Sequence, residues 1–135
     1  MKLFVVAVFC FIAAAQAHSL TDEQLAKLKA YKADCIASSG VTPDLVEKSK
    51  KGEFADDPKL KEFLFCIGKK IGFLNDAGDF QVDVMTAKIT ANHGKDAADD
   101  VVSVCTAKKE SSGPETSFAL AKCLYEKSKQ HITLA

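Results

Sequence analysis

The chain of 135 residues is long enough for one domain but not for two. Its 18 basic residues, all lysines, balance 18 acidic residues, so the formal net charge is zero. Because both signs are interspersed along the chain, there is no basic patch for nucleic acid and no polybasic stretch for an anionic membrane.

The first 17 residues predict a secretory signal peptide. Lys2 supplies a positive charge, and the apolar run from Leu3 to Ala15 leads to the small-residue cleavage pattern Ala15-Gln16-Ala17. A membrane anchor is the alternative, but a spanning helix needs roughly 20 apolar residues. We therefore expect cleavage after Ala17, a mature domain of residues 18–135, secretion to the extracellular space and no membrane insertion.

The cysteines of the mature domain predict two disulfides, since an even number in a short secreted chain is typical of a disulfide framework. A zinc site is the competing interpretation, but no Cys-x-x-Cys pair and no Cys/His pair has ligand spacing. Four cysteines allow three pairings, and their spacing does not choose among them. The four residues are Cys35, Cys66, Cys105 and Cys123.

Capping residues and prolines predict the first three helices. Thr21 with Gln24 matches a capping box at the start of the first helix. Thr42-Pro43 starts a second, shorter helix, and Asp57-Pro58 starts a third. The third helix has the clearest apolar stripe, at positions 60, 63, 64, 67 and 71.

Three further helices are expected beyond the polar turn at residues 75–79. Asp79 is predicted to cap the fourth helix, which would end near Gly94, and Asp96 is predicted to cap the fifth. Ser112 precedes Gly-Pro-Glu and opens the sixth. The tail from Gln130 could fray or fold back across the other helices. The predicted fold class is all-α.

No set of residues predicts catalysis. The histidines His18, His93 and His131 look exposed and solitary, and no hydrolase, metalloprotease or phosphate-loop motif occurs. The carboxylate pairs Asp56-Asp57 and Asp99-Asp100 lie at predicted helix starts, where they favour the helix dipole. We therefore predict a protein that is not an enzyme, with no catalytic residue, no metal and no cofactor.

The order of caps and cysteines resembles the insect odorant-binding proteins, in particular the minus-C group that lacks two of the usual six cysteines. The resemblance runs from Cys35 through DPKLKEFLFC (57–66), GFL (72–74) and GDFQVD (78–83) to Cys105 and Cys123. Glu62 and Pro114 stand where the six-cysteine pattern has its additional bridge. Beetle haemolymph and accessory-gland carriers look similar to this chain.

This resemblance implies a six-helix bundle around an apolar cavity, with disulfides Cys35–Cys66 and Cys105–Cys123. It also implies a carrier of small hydrophobic ligands such as odorants, pheromones or lipid-like molecules, with a receptor or another secreted protein as an open partner. The apolar helical stripes predict the lining. The expected lining residues are Leu28, Phe63, Ile67, Met85, Ile89, Val102, Phe118 and Leu124.

Two further expectations concern an alternative function and the contact between the third and sixth helices. The alternative function is a disulfide-stapled secreted interaction protein that has a filled core and acts through its surface. Without the additional bridge, we expect Glu62 to be partly solvated and the third and sixth helices to be held by packing alone. The segment from Ser111 to Glu115 would then form a mobile gate.

Overall fold

The computed structural model describes residues 21–134 and shows six α-helices in that part of the chain. The predicted signal peptide, residues 1–17, lies outside the described residues. In the described part, no helix is both long and apolar enough to cross a membrane. The helices are α1 (Asp22–Ser39), α2 (Pro43–Lys50), α3 (Pro58–Lys70), α4 (Val82–His93), α5 (Lys95–Cys105) and α6 (Gly113–Lys127).

Three of the predicted helix caps are confirmed. Thr21 and Gln24 form the reciprocal capping box of α1, with hydrogen bonds of 3.0 and 3.1 Å. The Asp57 carboxylate accepts from two backbone amides at the start of α3, at 2.8 and 3.1 Å. The Ser112 hydroxyl accepts from the Glu115 amide at 3.3 Å and starts α6.

The prediction that Asp79 caps the fourth helix is wrong. The N-cap of α4 is Gln81, which makes no side-chain capping bond. Asp79 belongs to the preceding turn. Its amide donates to the Asn75 side chain at 2.9 Å, and its carboxylate pairs with Lys109 at 2.6 Å. The turn and the ion pair both use Asp79, so the helix begins two residues further on.

The prediction that Asp96 caps the fifth helix is also wrong. Gly94 both ends α4 and precedes α5, and its φ of 94° is a conformation that favours glycine. Since α5 begins directly at Lys95, Asp96 lies inside its first turn. A carboxylate there still interacts favourably with the helix dipole, but it makes no cap.

Two disulfides join neighbouring helices. Cys35–Cys66 connects the C-terminal part of α1 to α3, and Cys105–Cys123 connects the end of α5 to α6, each with a Cα–Cα distance of 5.6 Å. The cysteines are therefore paired as the family resemblance implies. Each loop closure of this length stabilises the fold by roughly 3 kcal/mol.

The core lies mainly between α3 and the helices around it. Phe63 and Leu60 on α3 and Leu124 on α6 are among its fully buried side chains. The C-terminal tail folds back instead of fraying, because Ile132 and Leu134 are both buried in the same core.

The N-terminal half of α1 differs from the rest of the bundle. Every residue from 21 to 30 is exposed, and Leu25 and Leu28 retain 44% and 39% of their accessible surface. Cys35 is the buried residue of this helix. The helix α1 is therefore covered by other parts of the bundle only at its C-terminal end.

Candidate functional site

Six of the eight predicted lining residues meet in the interior. All six are buried members of one hydrophobic cluster, and they come from four different helices. An apolar molecule placed between these helices would therefore contact side chains from several directions, as ligand pockets require. The six are Phe63, Ile67, Met85, Ile89, Val102 and Leu124.

Phe118 lies at the edge of this cluster. It is half-buried on α6 and packs against the core from outside. The ring of Phe54 meets it edge to face, with centroids 6.1 Å apart, and two ammonium groups lie over its ring. The Nζ atoms of Lys61 and Lys122 are 5.1 and 5.5 Å from the centroid. Phe118 thus separates the apolar interior from a cationic rim.

Leu28 is the one predicted lining residue that the structure leaves apart from the interior. It lies on the exposed half of α1 and does not belong to the core cluster. Helical periodicity identifies an apolar stripe but does not show which part of the stripe another element will cover.

The interior is electrically neutral. The buried polar or charged side chains of the described residues are three serines and one threonine, so no lysine, histidine or carboxylate is among them. A neutral interior favours uncharged guests, since an unpaired charge is costly to transfer from water. The four are Ser49, Thr116, Ser117 and Ser128.

Ser117 is a buried polar residue that was not predicted from the sequence. Its hydroxyl is fully buried and has no hydrogen-bond partner. The signal was its position three residues before Leu120 and seven before Leu124, on the same helical face as these buried leucines. A polar residue in such a stripe is a candidate contact for the polar group of a ligand.

Charged residues tie the beginning of α6 to α3 at the rim. Lys61 Nζ lies 2.6 Å from Asp56 and 2.8 Å from Glu115. The hydrogen bond from Lys61 holds the pKa of Asp56 below its ordinary value, and hydrogen bonds to Asp56 and then to Glu115 raise the pKa of Lys61. The expectation that α3 and α6 are held by packing alone is therefore wrong.

Within the predicted gate segment, Gly113 makes a close contact, although none of the five residues is buried. A Cβ on Gly113 would collide with the ring of Phe65, so the backbone lies directly against that ring. The Glu110 amide donates to Thr116 Oγ1 at 3.0 Å and ties the preceding loop to α6. Glu62 is exposed, as expected for a carboxylate without a partner in the interior.

Two clefts lie on the surface beside the Cys35–Cys66 disulfide, with volumes of about 440 and 300 Å³. Charged and polar side chains such as Asp34, Ser38 and Lys69 line them, and none of the eight predicted residues does. These open clefts are not the apolar cavity that the resemblance implies. Within residues 21–134, no group of three or more His, Cys, Asp or Glu side chains could hold a metal ion.

Comparison with known sequences identifies the family to which this disulfide-bonded helical bundle belongs. The PBP/GOBP family matches residues 17–127, and the chain belongs to that family. The B1 protein of Tenebrio molitor is 32% identical over 107 residues, which cover 78% of this chain and 82% of that protein.

Solved structures confirm the all-α odorant-binding-protein fold. The THP12 carrier protein from the yellow meal worm is 37% identical, with a TM-score of 0.58 over 69% of this chain and 86% of that chain. The fatty acid binding protein OBP56a from the oral disk of the blowfly Phormia regina is 29% identical, with a TM-score of 0.66 over 84% and 98% of the two chains. The resemblance to insect odorant-binding proteins and beetle carriers is thereby confirmed.

Proposed function

We propose that this protein is a secreted, extracellular carrier that binds one small hydrophobic ligand inside its helical bundle. The observation that carries the proposal is the convergence of six apolar side chains from four helices in a neutral interior. Odorants, pheromones and lipid-like molecules share the apolar character that such an interior favours.

The relatives support a carrier role. The yellow meal worm protein is described as a carrier, and the blowfly protein as a fatty acid binding protein. Both share the fold and more than a quarter of their aligned residues with this chain. Transport of a hydrophobic molecule through an aqueous fluid requires only that the carrier shield apolar surface from water.

We propose that the protein has no enzymatic role. The two described histidines make hydrogen-bond contacts with groups that are not nucleophiles. His93 Nδ1 lies 2.9 Å from the Gln130 side-chain oxygen, and His131 Nδ1 lies 3.1 Å from the Tyr125 carbonyl. Both contacts involve the C-terminal tail and not a nucleophile. A hydrolase would need a base within hydrogen-bond reach of its nucleophile.

The proposed ligand contacts are the six buried residues together with Phe118 at the edge. Leu28 would join them only if the N-terminal half of α1 moved over the bundle when the ligand binds. That half is exposed along its whole length, so its movement would break few buried contacts. A ligand-dependent decrease in the exposure of Leu28 would show that Leu28 joins the ligand contacts.

A titration with an environment-sensitive apolar dye tests the proposal. We expect saturable binding of about one dye per chain and displacement by small hydrophobic competitors. Replacement of Met85 or Ile89 by Ala should weaken dye affinity, because both side chains belong to the interior. Val104→Ala is the control, since Val104 is 52% exposed on α5 and should leave affinity unchanged.

A protein that binds no dye saturably, or whose affinity changes equally in all three variants, would contradict a carrier with an internal site. The alternative, an interaction protein that acts through its surface, would then be favoured. Its supporting observation is the exposed pair Leu25 and Leu28 on α1.

A further inference from the structure

The segment between α2 and α3, residues 51–57, lies against α6, and we call it the strap. Its backbone hydrogen bonds are local, since the amides of Gly52 and Glu53 donate to the last turn of α2 and the Asp57 amide donates to Ala55. None of its residues is fully buried. The middle of the strap is therefore held to the rest of the bundle by side chains.

Side-chain contacts connect the strap to α6 and α3. The ring of Phe54 meets the rings of Phe118 and Tyr125 edge to face, with centroids 6.1 and 6.2 Å apart. The Asp56 carboxylate lies 2.6 Å from Lys61 Nζ on α3. Contacts of these two kinds are individually weak, so the strap can leave α6 without unfolding of the helices.

The strap covers the place where the apolar interior reaches the surface. Phe118 is half-buried and packs against the buried cluster that contains the six proposed ligand contacts. Phe54 packs on Phe118 and against the same cluster. Displacement of Phe54 would therefore uncover Phe118 and open a path along its ring to the interior.

The other candidate entrance, residues 111–115, is held by closer contacts. The backbone of Gly113 lies against the ring of Phe65, and a Cβ on Gly78 would stand 2.9 Å from the Gly113 Cα atom. Two loops and a ring thus meet at Gly113. This segment could move only if the neighbouring backbone moved with it, whereas the strap is released by the movement of side chains.

We propose that the strap is the entrance of the carrier site: it moves off α6, Phe54 leaves Phe118, and a hydrophobic ligand passes along Phe118 into the interior. This inference rests on the proposed carrier function and specifies how its ligand enters. Lys61 Nζ also lies 2.8 Å from Glu115, so the ion pair between α3 and α6 remains when Asp56 is released. The bundle stays together while the strap moves.

An entrance residue and a wall residue have different kinetic signatures. A change in an entrance residue alters how often the site is open, so the association and dissociation rates change by the same factor and Kd stays constant. A change in a wall residue removes contacts with the bound ligand, so it acts mainly on dissociation and raises Kd.

Stopped-flow mixing with an environment-sensitive apolar dye measures both rates. In Phe54→Ala we expect both to rise by about 5- to 150-fold, the value of two edge-to-face contacts, while Kd stays within about twofold. Phe65→Ala is the matched control, because Phe65 is also a half-buried phenylalanine at the edge of the core but packs against Gly113. Its rates should equal those of the unmodified protein.

A second pair of variants changes only charge. Asp56→Asn loosens the strap and should raise both rates by up to about fivefold, the value of a partly exposed ion pair. Glu115→Gln loosens the start of α6 from the same Lys61 and should leave both rates unchanged. Neither carboxylate is buried, so this comparison remains decisive even if Phe54→Ala does not fold.

Each outcome bears on one proposal. If the unmodified protein binds no dye, the carrier function fails and the entrance fails with it. If dye binds but Phe54→Ala and Asp56→Asn exchange it at the unmodified rates, the entrance alone is overturned. Equal acceleration in Phe65→Ala, or a change in Phe54→Ala that is confined to dissociation, also overturns it. Faster exchange in Glu115→Gln than in Asp56→Asn would instead assign the entrance to residues 111–115.

Discussion

The seam between α3 and α6 and the N-terminal half of α1 differ both in their apolar patterns and in their surroundings. In the seam, Phe63 and Leu124 are fully buried and Lys61 pairs with Glu115 across the helices. On α1, Leu25 and Leu28 remain largely exposed. The seam is held by tertiary contacts, whereas the outer half of α1 depends on local ones such as its capping box. The apolar stripe of α3 is the clearer of the two, so periodicity already indicates part of this difference.

The largest expected difference comes from shortening one side chain in each region. Phe63→Ala should reduce the free energy of unfolding by about 3–5 kcal/mol, because a fully buried ring leaves a cavity. Leu28→Ala should change it by less than about 0.5 kcal/mol, since the side chain is already in solvent. Urea unfolding followed by circular dichroism measures both. A large loss in Leu28→Ala would show that the outer half of α1 is covered in solution.

Removing one disulfide at a time sharpens the comparison. Each double Ala variant, at Cys35 with Cys66 or at Cys105 with Cys123, should lose roughly 3 kcal/mol. The first loop spans 31 residues and the second 18, so the loop-closure model makes the first loss larger by about 0.5 kcal/mol.

Hydrogen exchange then locates the effect of each bridge. Loss of Cys35–Cys66 should release α1 while the amides of the α3–α6 seam stay protected. Loss of Cys105–Cys123 should instead expose the junction of α5 with α6. Equal loss of amide protection throughout the bundle in both variants would contradict this comparison, in which local contacts stabilise the outer half of α1 and tertiary contacts stabilise the α3–α6 seam.

The smallest expected effect is the pH dependence of the ion pair at the seam. The lowered pKa of Asp56 stabilises the fold above the ordinary carboxyl pKa, and this contribution is lost as pH falls through the lowered value. The raised pKa of Lys61 stabilises it below the ordinary lysine pKa, and this contribution is lost as pH rises through the raised value. The stability difference between the unmodified protein and Lys61→Met should therefore be constant near neutral pH and narrow at both extremes.

Urea midpoints across the pH range measure this difference. Lys95→Met is the control, because Lys95 pairs with Asp99 within one exposed helix turn and should contribute less at every pH. A difference for Lys61→Met that grows toward acid pH would contradict the assignment of Asp56 as its partner.

Caps with a local mechanism were predictable from the sequence. Thr21, Asp57 and Ser112 each bind amides within three residues, so neighbouring residues are enough to identify them. Asp79 was not predictable, because Lys109, which binds its carboxylate, is 30 residues away along the chain. That Gly94 alone separates α4 from α5 was also not predictable, because it depends on how the two helices pack against each other.

The site could be predicted only in part. The burial of six of the eight predicted residues was predictable, because apolar stripes on several helices tend to face a common interior. The exposure of Leu28 depends on which part of α1 has a neighbour, and the unpaired state of Ser117 depends on the facing residue of α3. Both are properties of tertiary contacts between distant segments, which a stripe does not encode.

The order of the two bridges along the chain has a consequence for biosynthesis. Cys66 precedes Cys105, so the bridges neither cross nor enclose one another. During synthesis, both sulfurs of the first bridge emerge before either sulfur of the second. Each covalent loop can therefore close in turn. Cys35 and Cys66 need not exchange disulfide partners when Cys105 and Cys123 emerge.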